Sequence, residues 1–276
     1  MVAKFEDVTW VLEADVFPQS HALMSDAVRE LSAQVVLWKD EWLADDTWPG
    51  LPGRTVLFHG SLGNAAVVER RSPWRPGSFC ATDAFHCSRW YPRAEPWLLH
   101  RAWTLSSVEE LVTKSDTVLD RIGGPERLFV RPDSPLKPFS GRVLHRDKLS
   151  LGALDHGFYY DDKQLPVIVA PVRAVTREWR YVVVDGQVSA GSAYEADGRA
   201  ALPDDPRGEP WAYASAIASR LHAPQPVYVL DICEADGRLA LLELNPFGGA
   251  DLYACDRAAV VRAVSSFATR RPELGG

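Results

Sequence analysis

Hydrophobic and polar residues follow two different spacings along the chain, and the change falls near residue 124. In the first part, helical spacing covers 20–33 and 106–124. An apolar strand at 55–60 leads through a glycine turn into a helical segment at 64–71. Ser107 and Glu110 form a capping-box pattern, and two glycines end that helical segment.

Beyond residue 124 the pattern predicts mainly strands. Short apolar runs at 127–132 and 165–172 each predict one strand. Two longer segments, 179–194 and 227–245, each hold two apolar runs around Asp-Gly, which is typical of a tight β-hairpin. Helical spacing returns at 209–222 and at 256–270, the latter with Asp256 as the expected N-cap. Antiparallel hairpins with a few helices indicate an α+β fold.

Composition narrows the classes of partner. The chain has 276 residues, 46% of them hydrophobic, and a net charge of −7, as expected for a globular protein of one large or two modest domains. The acidic balance argues against nucleic acid as a partner. No apolar run reaches the roughly 20 residues of a membrane span, and the N-terminus lacks the apolar core of a signal peptide. We therefore expect a cytoplasmic protein with no membrane partner.

The cysteines and tryptophans suggest little chemistry of their own. No CxxC spacing occurs among the four cysteines, and in a chain expected to be cytoplasmic they should be reduced. Cys80, His86 and Cys87 could ligate a metal, but no second ligand pair follows at zinc-site spacing. Eight of the ten tryptophans lie between Trp10 and Trp103, where they either pack in a core or form an apolar binding pocket.

The second hairpin carries polar side chains on a run that is otherwise apolar. With the turn centred on Gly237, Asp231 would lie opposite Glu243, and Asn245 would share their face one pleat further on. Two carboxylates beside an amide oxygen suit a hard cation such as Mg²⁺. The alternative is a solvated polar face of an edge strand.

Four stretches in sequence order resemble the ATP-grasp ligases. The hairpin has the form D-x(11)-E-x-N, followed by proline and glycines. FVRPDSPLKPFSG (129–141) resembles the nucleotide-clamping strand and loop of the clade in which arginine replaces the first lysine. VIVAPV (167–172) resembles the adenine-holding hinge strand, and REWRYVVVDGQV (177–188) resembles the strand whose glutamate contacts the nucleotide. The resemblance covers 125–270.

The resemblance implies a role for individual residues. Asp231 and Glu243 would bind Mg²⁺, with Glu243 bridging two ions and Asn245 completing the second. ATP phosphates would be contacted by Arg131 and Lys137, adenine by main-chain groups near Ala170 and Val172, and ribose by Glu178, which could instead orient Arg180 toward the transferred phosphoryl group. Arg180 and Arg131 would be the catalytic cations, since cations aimed at phosphoryl oxygens supply most of such catalysis.

Structural alternatives remain for several of these residues. The loop SPLKPFSG has one glycine and two prolines, where most of the family has a glycine-rich phosphate loop. Arg131 could be a surface residue at a strand end, and Lys137 a solvated loop residue. Glu178 and Arg180 could form an ion pair across the hairpin.

The segment after the second hairpin is the predicted site of the second substrate. Gly248 and Gly249 could bring backbone N–H groups close to an oxyanion, while Asp251 and Tyr253 offer a carboxylate and a phenol to an amine. The alternative is that the glycines only turn the chain and that Tyr253 belongs to the core.

Together these observations predict an ATP-grasp fold, in which two α+β subdomains clamp ATP, over 125–276. A tryptophan-rich N-terminal α/β domain over 1–124 would precede it and help bind the acceptor. The implied activity joins a small-molecule or peptide carboxylate to an amine, using ATP and Mg²⁺ and an acylphosphate intermediate. Two other possibilities are a non-catalytic binding protein of the same fold and a serine hydrolase using Ser61 of HGSLG, which lacks the first glycine of G-x-S-x-G.

Overall fold

The computed structural model describes residues 4–154, 156, 161–195, 200–202 and 204–270. Its strands are β1 (Val8–Leu12), β2 (Gln34–Leu37), β3 (Thr55–His59), β4 (Pro76–Gly77), β5 (Thr104–Ser107), β6 (Arg127–Pro132), β7 (Arg142–His145), β8 (Pro166–Pro171), β9 (Val175–Val184), β10 (Gln187–Glu195), β11 (Ala200–Ala201), β12 (Val227–Ala235) and β13 (Arg238–Pro246). Its α-helices are α1 (Pro18–Glu30), α2 (Glu41–Ala44), α3 (Leu62–Arg71), α4 (Cys87–Ala94), α5 (Val108–Thr113), α6 (Ser115–Asp120), α7 (Glu209–Ala218) and α8 (Arg257–Arg270). Within these described ranges, no helix is long and apolar enough to cross a membrane.

The chain divides into two compact units that are not contiguous in sequence. The first unit comprises Met1–Ala81, Arg177–Ile232 and Glu243–Gly276, and the second comprises Thr82–Thr176 and Cys233–Leu242. The boundaries between these units fall at positions other than residue 124, so the domain boundary expected at that residue stays a prediction.

The first unit begins with a parallel sheet of strand order β2-β1-β3-β4. Helix α1 connects β1 to β2, and α3 connects β3 to β4, which is the α/β arrangement expected for the N-terminal part. The strand and helix predicted at 55–60 and 64–71 are confirmed as β3 and α3. Apolar residues of β1 and β3 are buried on both faces of this sheet, as is usual for parallel strands covered by helices.

The two Asp-Gly hairpins form much of a second, five-stranded sheet of order β11-β10-β9-β12-β13. Asp185 and Gly186 both have positive φ, 50° and 74°, and Asp236 and Gly237 likewise have 54° and 68°. Two successive residues of positive φ form the tight turn that matches strand twist. Both predicted hairpins are therefore confirmed, and so is α8 with its Asp256 cap, which accepts from the Ala259 N–H at 3.0 Å.

Residues from both sides of position 124 share the main core of the first unit. Trp10 and Val28 belong to the same buried cluster as Val182, Phe247 and Val264. Trp10 also donates its indole N–H to the Ser265 hydroxyl at 3.1 Å. This part of the N-terminal sequence is therefore built into the same core as the hairpin strands.

Four tryptophans of the first unit pack against one another. Trp38 lies edge-on to Trp42 at 5.5 Å between ring centroids, and Trp48 lies edge-on to Trp74 at 5.3 Å. Trp38 also contacts Phe58 of β3, with 5.1 Å between centroids. Rings at these separations fill the space between them, so these four tryptophans pack against one another, and an apolar substrate pocket in this part of the chain stays a prediction.

The second unit is built on an antiparallel sheet of order β5-β8-β6-β7. The strands predicted at 127–132 and 165–172 are confirmed as β6 and β8. The single helix predicted over 106–124 is wrong in its middle. Ser107 does cap its start, accepting from the Glu110 N–H at 3.1 Å, but the backbone leaves the helical region at Lys114 (φ −130°, ψ 40°).

The break at Lys114 has a local cause in its neighbours. Thr113 donates its hydroxyl to the Glu109 carbonyl at 2.7 Å, and such side-chain bonds compete with continuation of a helix. The Glu110 side chain does not complete the capping box, because it accepts from the Ser106 hydroxyl at 2.8 Å. Two short helices result, and each contributes buried residues to the core of this unit.

Candidate active site

Arg180 is the centre of a buried polar cluster in the first unit. It lies on β9, next to β12 in the sheet, and binds both carboxylate oxygens of Asp231, from Nε at 2.8 Å and from Nη2 at 2.7 Å. Its Nη1 donates to the Asp251 carbonyl at 2.7 Å. Burial alone would lower the pKa of Arg180, but the Asp231 carboxylate outweighs burial and raises it. The guanidinium therefore stays charged and fixed in one orientation.

Asp231 is joined on its other side by Asn245. The Asn245 amide nitrogen donates to Asp231 Oδ2 at 3.0 Å, which places the two side chains on one face of the second hairpin, as the sequence indicated. Asp231 and Asn245 are both buried. Because the amide nitrogen is used on Asp231, the amide oxygen is the group that Asn245 can offer to a cation.

Glu178 and Glu243 add two further carboxylates to this cluster. Burial is the main cause that raises the pKa of Glu178, and the negative charges of Asp231 and Glu243 raise it further. Tyr194, opposite Glu178 on β10, donates its hydroxyl to Glu178 Oε2 at 2.5 Å. With all groups ionised, Asp231, Glu178 and Glu243 carry three negative charges against the one positive charge of Arg180, which leaves two excess negative charges. Such an excess favours a bound cation.

The side chains of this cluster would supply only part of the coordination shell of a magnesium ion. In the described part of the chain, no three His, Cys, Asp or Glu side chains are grouped to hold a metal by themselves. Asp231 and Glu243 would supply carboxylate oxygens and Asn245 its amide oxygen, with the remaining positions left to water and substrate oxygens, as is usual for Mg²⁺. Asp231 already accepts three hydrogen bonds, so it has one lone pair left for a cation.

Two stacked tyrosines lie against the guanidinium of Arg180. Tyr194 and Tyr253 stack with 4.6 Å between ring centroids, and the Arg180 guanidinium carbon lies 5.5 Å and 4.9 Å from their respective centroids. The Asp251 carboxylate accepts from the Tyr253 N–H at 3.0 Å, which holds the turn after the hairpin. Asp251 and Tyr253 thus lie beside the cluster, and their role in binding a second substrate stays a prediction.

Gly248 and Gly249 are required by packing within the first unit. A Cβ atom at Gly248 would lie 2.2 Å from the Ser78 carbonyl oxygen, and one at Gly249 would lie 2.5 Å from Leu62 Cα. The Gly248 carbonyl also accepts from the Gly60 N–H at 2.8 Å. Close approach of backbone to backbone therefore explains both glycines, and oxyanion binding by their N–H groups stays a prediction.

We expect Gly248→Ala to destabilise the protein by about 2–3 kcal/mol, because the added methyl group overlaps a backbone oxygen that cannot move freely. Gly63→Ala is the matched control. It lies in α3 with no atom within 4 Å of its added Cβ, so it should be neutral or slightly stabilising. Denaturant unfolding of both variants measures the difference, and equal stabilities would show that the Gly248 turn relaxes.

The remaining predicted ATP residues lie in the second unit. Arg131 is buried on β6 and pairs with Ile168 of β8, and Ala170 on β8 is fully buried opposite Phe129. Val172 follows β8 and is half-buried. Lys137 is exposed in the loop after β6, with φ 48°. Their contacts with ATP stay predictions.

Asp133 is a residue of this loop that the sequence reasoning missed. Its buried carboxylate accepts from the Ser88 N–H at 2.7 Å and the Ser88 hydroxyl at 2.8 Å, and it lies 3.1 Å from His86 Nδ1. These bonds fix the loop to the start of α4 and satisfy an acidic side chain between Arg131 and Lys137. The signal in the sequence was the aspartate itself, within FVRPDSPLK.

Ser61 has a structural role. Its hydroxyl accepts from the Asn64 N–H at 3.2 Å and caps α3, while the neighbouring His59 directs Nε2 to the Ala250 carbonyl at 3.0 Å. The serine and the histidine of HGSLG are thus each engaged elsewhere. This arrangement gives the serine-hydrolase interpretation no support.

Comparisons with known proteins identify the family to which this chain belongs. Residues 98–263 match the family described as ATP-grasp domain, R2-K clade family 2. This match covers more than half of the chain, so the protein belongs to that family of ATP-grasp proteins. A comparison with curated protein sequences found no match.

Solved ATP-grasp structures share the fold at low sequence identity. D-cycloserine synthetase DcsG is 17% identical, with a TM-score of 0.64 over 94% of this chain and 98% of its own. A RimK domain ATP-grasp protein from Sphaerobacter thermophilus DSM 20745 is 13% identical, with a TM-score of 0.62 over 94% and 98%. D-alanine–D-alanine ligase from Bacillus anthracis is 11% identical, with a TM-score of 0.59 over 98% and 99%. The predicted ATP-grasp fold is confirmed, and family and fold together indicate an ATP-dependent ligase.

Proposed function

We propose that the protein is an ADP-forming carboxylate–amine ligase that uses ATP and Mg²⁺ and proceeds through an acylphosphate. The observation that carries this proposal is the buried cluster of Arg180, Asp231 and Asn245, with two more carboxylates beside it. A chain of this family that had lost catalysis would have no reason to bury a carboxylate and an arginine beside two half-buried carboxylates, since buried charges are costly to a fold.

The proposed chemistry assigns a separate task to each polar group. Magnesium would neutralise phosphate charge during transfer, and Asp231, Glu243 and Asn245 would hold it. Arg180 would stabilise the charge that develops on the transferred phosphoryl oxygens, with its direction fixed by Asp231 and by the Asp251 carbonyl. The carboxylate substrate would become an acylphosphate, which the amine attacks with release of phosphate.

Among the known structures of this fold, one ligase is described with a peptide, and others are named for small-molecule products. The PsnB ATP-grasp ligase, 12% identical with a TM-score of 0.54, is described in complex with a precursor peptide and AMPPNP. D-cycloserine synthetase and D-alanine–D-alanine ligase are named for small products. We therefore infer amino-acid or peptide substrates for this protein.

An ADP-release screen tests the proposed function. The purified protein is incubated with ATP, Mg²⁺ and pairs of carboxylates and amines drawn from amino acids and peptides. We expect ADP to form only when a suitable pair is present. Binding of ATP without ADP release for any pair would instead favour the non-catalytic binding protein.

Arg131→Ala and Lys137→Ala test the predicted phosphate contacts. Each is expected to weaken binding of a non-hydrolysable ATP analogue by roughly ten- to a hundredfold, because a charge-assisted contact contributes about 1.5–3 kcal/mol. Isothermal titration calorimetry gives the affinities, with exposed Lys39→Ala of the first unit as the control. Unchanged affinity in Lys137→Ala would identify that lysine as an ordinary solvated loop residue.

A further inference from the structure

The loop between β6 and β7 carries Lys137 but offers few main-chain hydrogen-bond donors. Pro135 and Pro138 have no N–H group. Leu136 donates its N–H to the Ser134 hydroxyl at 3.2 Å, and Lys137 donates its own to the Ser134 carbonyl at 3.2 Å. From the first of these prolines to the second, all of which the structure describes, no main-chain N–H is left for a ligand. In a glycine-rich phosphate loop, by contrast, the N–H groups bind the phosphates.

The single glycine of this loop is used for packing. A Cβ at Gly141 would lie 2.7 Å from Cε2 of the Phe129 ring. That ring is stacked on His100, with 5.0 Å between centroids and 7° between planes, so its movement toward His100 is blocked. Close contact with β6 therefore explains Gly141, and no approach of a phosphate is needed to account for it.

Lys137 has a backbone conformation that usually favours glycine. Its φ of 48° lies in the left-handed region, where a Cβ atom is unfavourable. Its bond to the Ser134 carbonyl closes a turn with proline in second place and Lys137 in fourth, where glycine is favoured. The lysine side chain is exposed, so burial in a core does not explain its place here. Strained residues of this kind cluster at ligand sites, which indicates that the side chain itself is used.

Asp133 fixes the start of the same loop to two elements of the second unit. Its carboxylate, 3% exposed, binds Ser88 and lies beside His86 at the start of α4. Its carbonyl accepts from the Cys87 N–H at 3.0 Å, and its N–H donates to the Pro166 carbonyl of β8 at 2.9 Å. The carboxylate, the carbonyl and the N–H of Asp133 thus all hold the loop in place.

A phosphate loop whose tip has no spare main-chain donors relies on its side chains. We propose that Asp133 is a positioning residue for nucleotide binding: it holds this loop in one arrangement before ATP binds, so that the Lys137 side chain, rather than main-chain N–H groups, meets the phosphates. A loop already held in its binding arrangement loses little freedom on binding, which raises affinity. That the ligand is ATP rests on the proposed function.

Asp133→Ala should weaken the binding of AMPPNP with Mg²⁺ about tenfold in calorimetric titration. Loss of the carboxylate frees the loop, and a loop that spends about a tenth of its time in the binding arrangement raises the dissociation constant by that factor. Loss of a negative charge would by itself strengthen the binding of an anion. The sign of the change therefore identifies lost positioning, and equal or tighter binding would overturn the proposal.

The matched control is Asp147→Ala. Asp147 Oδ2 lies 3.3 Å from His145 Nδ1, so this variant also removes an aspartate beside a histidine in the second unit. His145 pairs with Arg127 at the start of β6, whereas Asp133 follows the end of that strand. Asp147→Ala should bind AMPPNP as the unmodified protein does. An equal loss in both variants would point to general damage and reject the positioning role.

Ser88→Ala tests the same contact from the α4 side if Asp133→Ala fails to fold. It removes the hydroxyl donor, keeps the Ser88 N–H on the carboxylate and leaves the charge of Asp133 in place. Binding of AMPPNP should weaken in the same direction, by at least about twofold. Unchanged affinity in the folded variant would overturn the proposal.

Lys137→Gly should change stability and affinity in opposite directions. Glycine tolerates the positive φ, so the melting temperature should be equal or higher, while AMPPNP binding weakens at least about tenfold. Adding Asp133→Ala to this variant should then weaken binding by only about twofold or less, because the side chain that Asp133 positions is gone. A further tenfold loss would show that Asp133 does not act through Lys137.

Kinetic constants distinguish positioning from general damage. Once the ADP-release screen has found a substrate pair, Asp133→Ala should raise the KM of ATP about tenfold, with kcat and the KM values of the other substrates nearly unchanged. A similar loss in every constant would overturn the positioning role. AMPPNP binding by the unmodified protein with equal affinity in Asp133→Ala would reject this inference alone. A screen without any ADP, together with weaker AMPPNP binding by Asp133→Ala, would reject the ligase function alone.

Discussion

Glu243→Gln should abolish Mg²⁺-dependent ADP formation, with a loss of at least about a hundredfold, while the protein remains folded. The substitution keeps the size of the side chain and removes the charge that the proposed mechanism needs for magnesium. Glu243 already contributes to the negative potential that acts on Glu178. Removing that charge relieves repulsion in the protein without nucleotide, so its melting temperature should be equal to or above that of the unmodified protein.

The control for Glu243→Gln lies on the same hairpin. Glu234→Gln makes the same chemical change on β12, at a residue for which the sequence and the structure indicate no part in the cluster. ADP release and thermal unfolding are measured for both variants. Near-normal turnover in Glu243→Gln would remove that residue from the metal site, and equal losses in both variants would point to general damage of the hairpin.

Asp231→Asn should lower the free energy of unfolding by about 3–5 kcal/mol, because it leaves the Arg180 guanidinium buried without its carboxylate. Arg180 and Asp231 are 8% and 1% exposed, so solvent cannot replace the lost partner. Calorimetric unfolding should show a clear fall in melting temperature. This loss of stability would accompany loss of activity, whereas Glu243→Gln separates the two.

An exposed ion pair that involves Arg177 of β9 provides the comparison for Asp231→Asn. Arg177 of β9 binds Asp204 with side chains 51% and 42% exposed, and Asp204→Asn should cost less than about 1 kcal/mol. Replacing the buried pair together, as Arg180→Met with Asp231→Leu, should restore much of the stability lost by Asp231→Asn. Equal melting temperatures for Asp231→Asn and Asp204→Asn would show that the buried pair does not stabilise the fold.

Features set by neighbouring residues could be predicted from the sequence. The Asp-Gly turns of both hairpins depend on two residues that tolerate positive φ, and both formed as expected. The hydrogen bond between Asp231 and Asn245 follows from their places on one hairpin, where side-chain alternation sets the face. The cap of α8 by Asp256 is equally local.

Features that depend on distant pairing could not be predicted in the same way. Arg180 was expected either to face phosphate or to pair with Glu178, but its partner is Asp231, 51 residues further on, because β9 lies beside β12. The Asp133 bonds to Ser88 and the Glu13 bonds to Ser61 join segments 45 and 48 residues apart. No spacing rule in a single sequence reports such contacts, since sheet order decides them.

The packed tryptophans of the first unit have a consequence for spectroscopy. Indole rings with centroids 5.3–5.5 Å apart couple their electronic transitions, so light absorbed by one ring is shared with its neighbours. The coupled rings add bands to the far-ultraviolet circular dichroism spectrum, on top of the signal from the peptide backbone. An estimate of helix content from that spectrum would be biased for this protein. Difference spectra between variants that retain Trp38, Trp42, Trp48 and Trp74 cancel this bias.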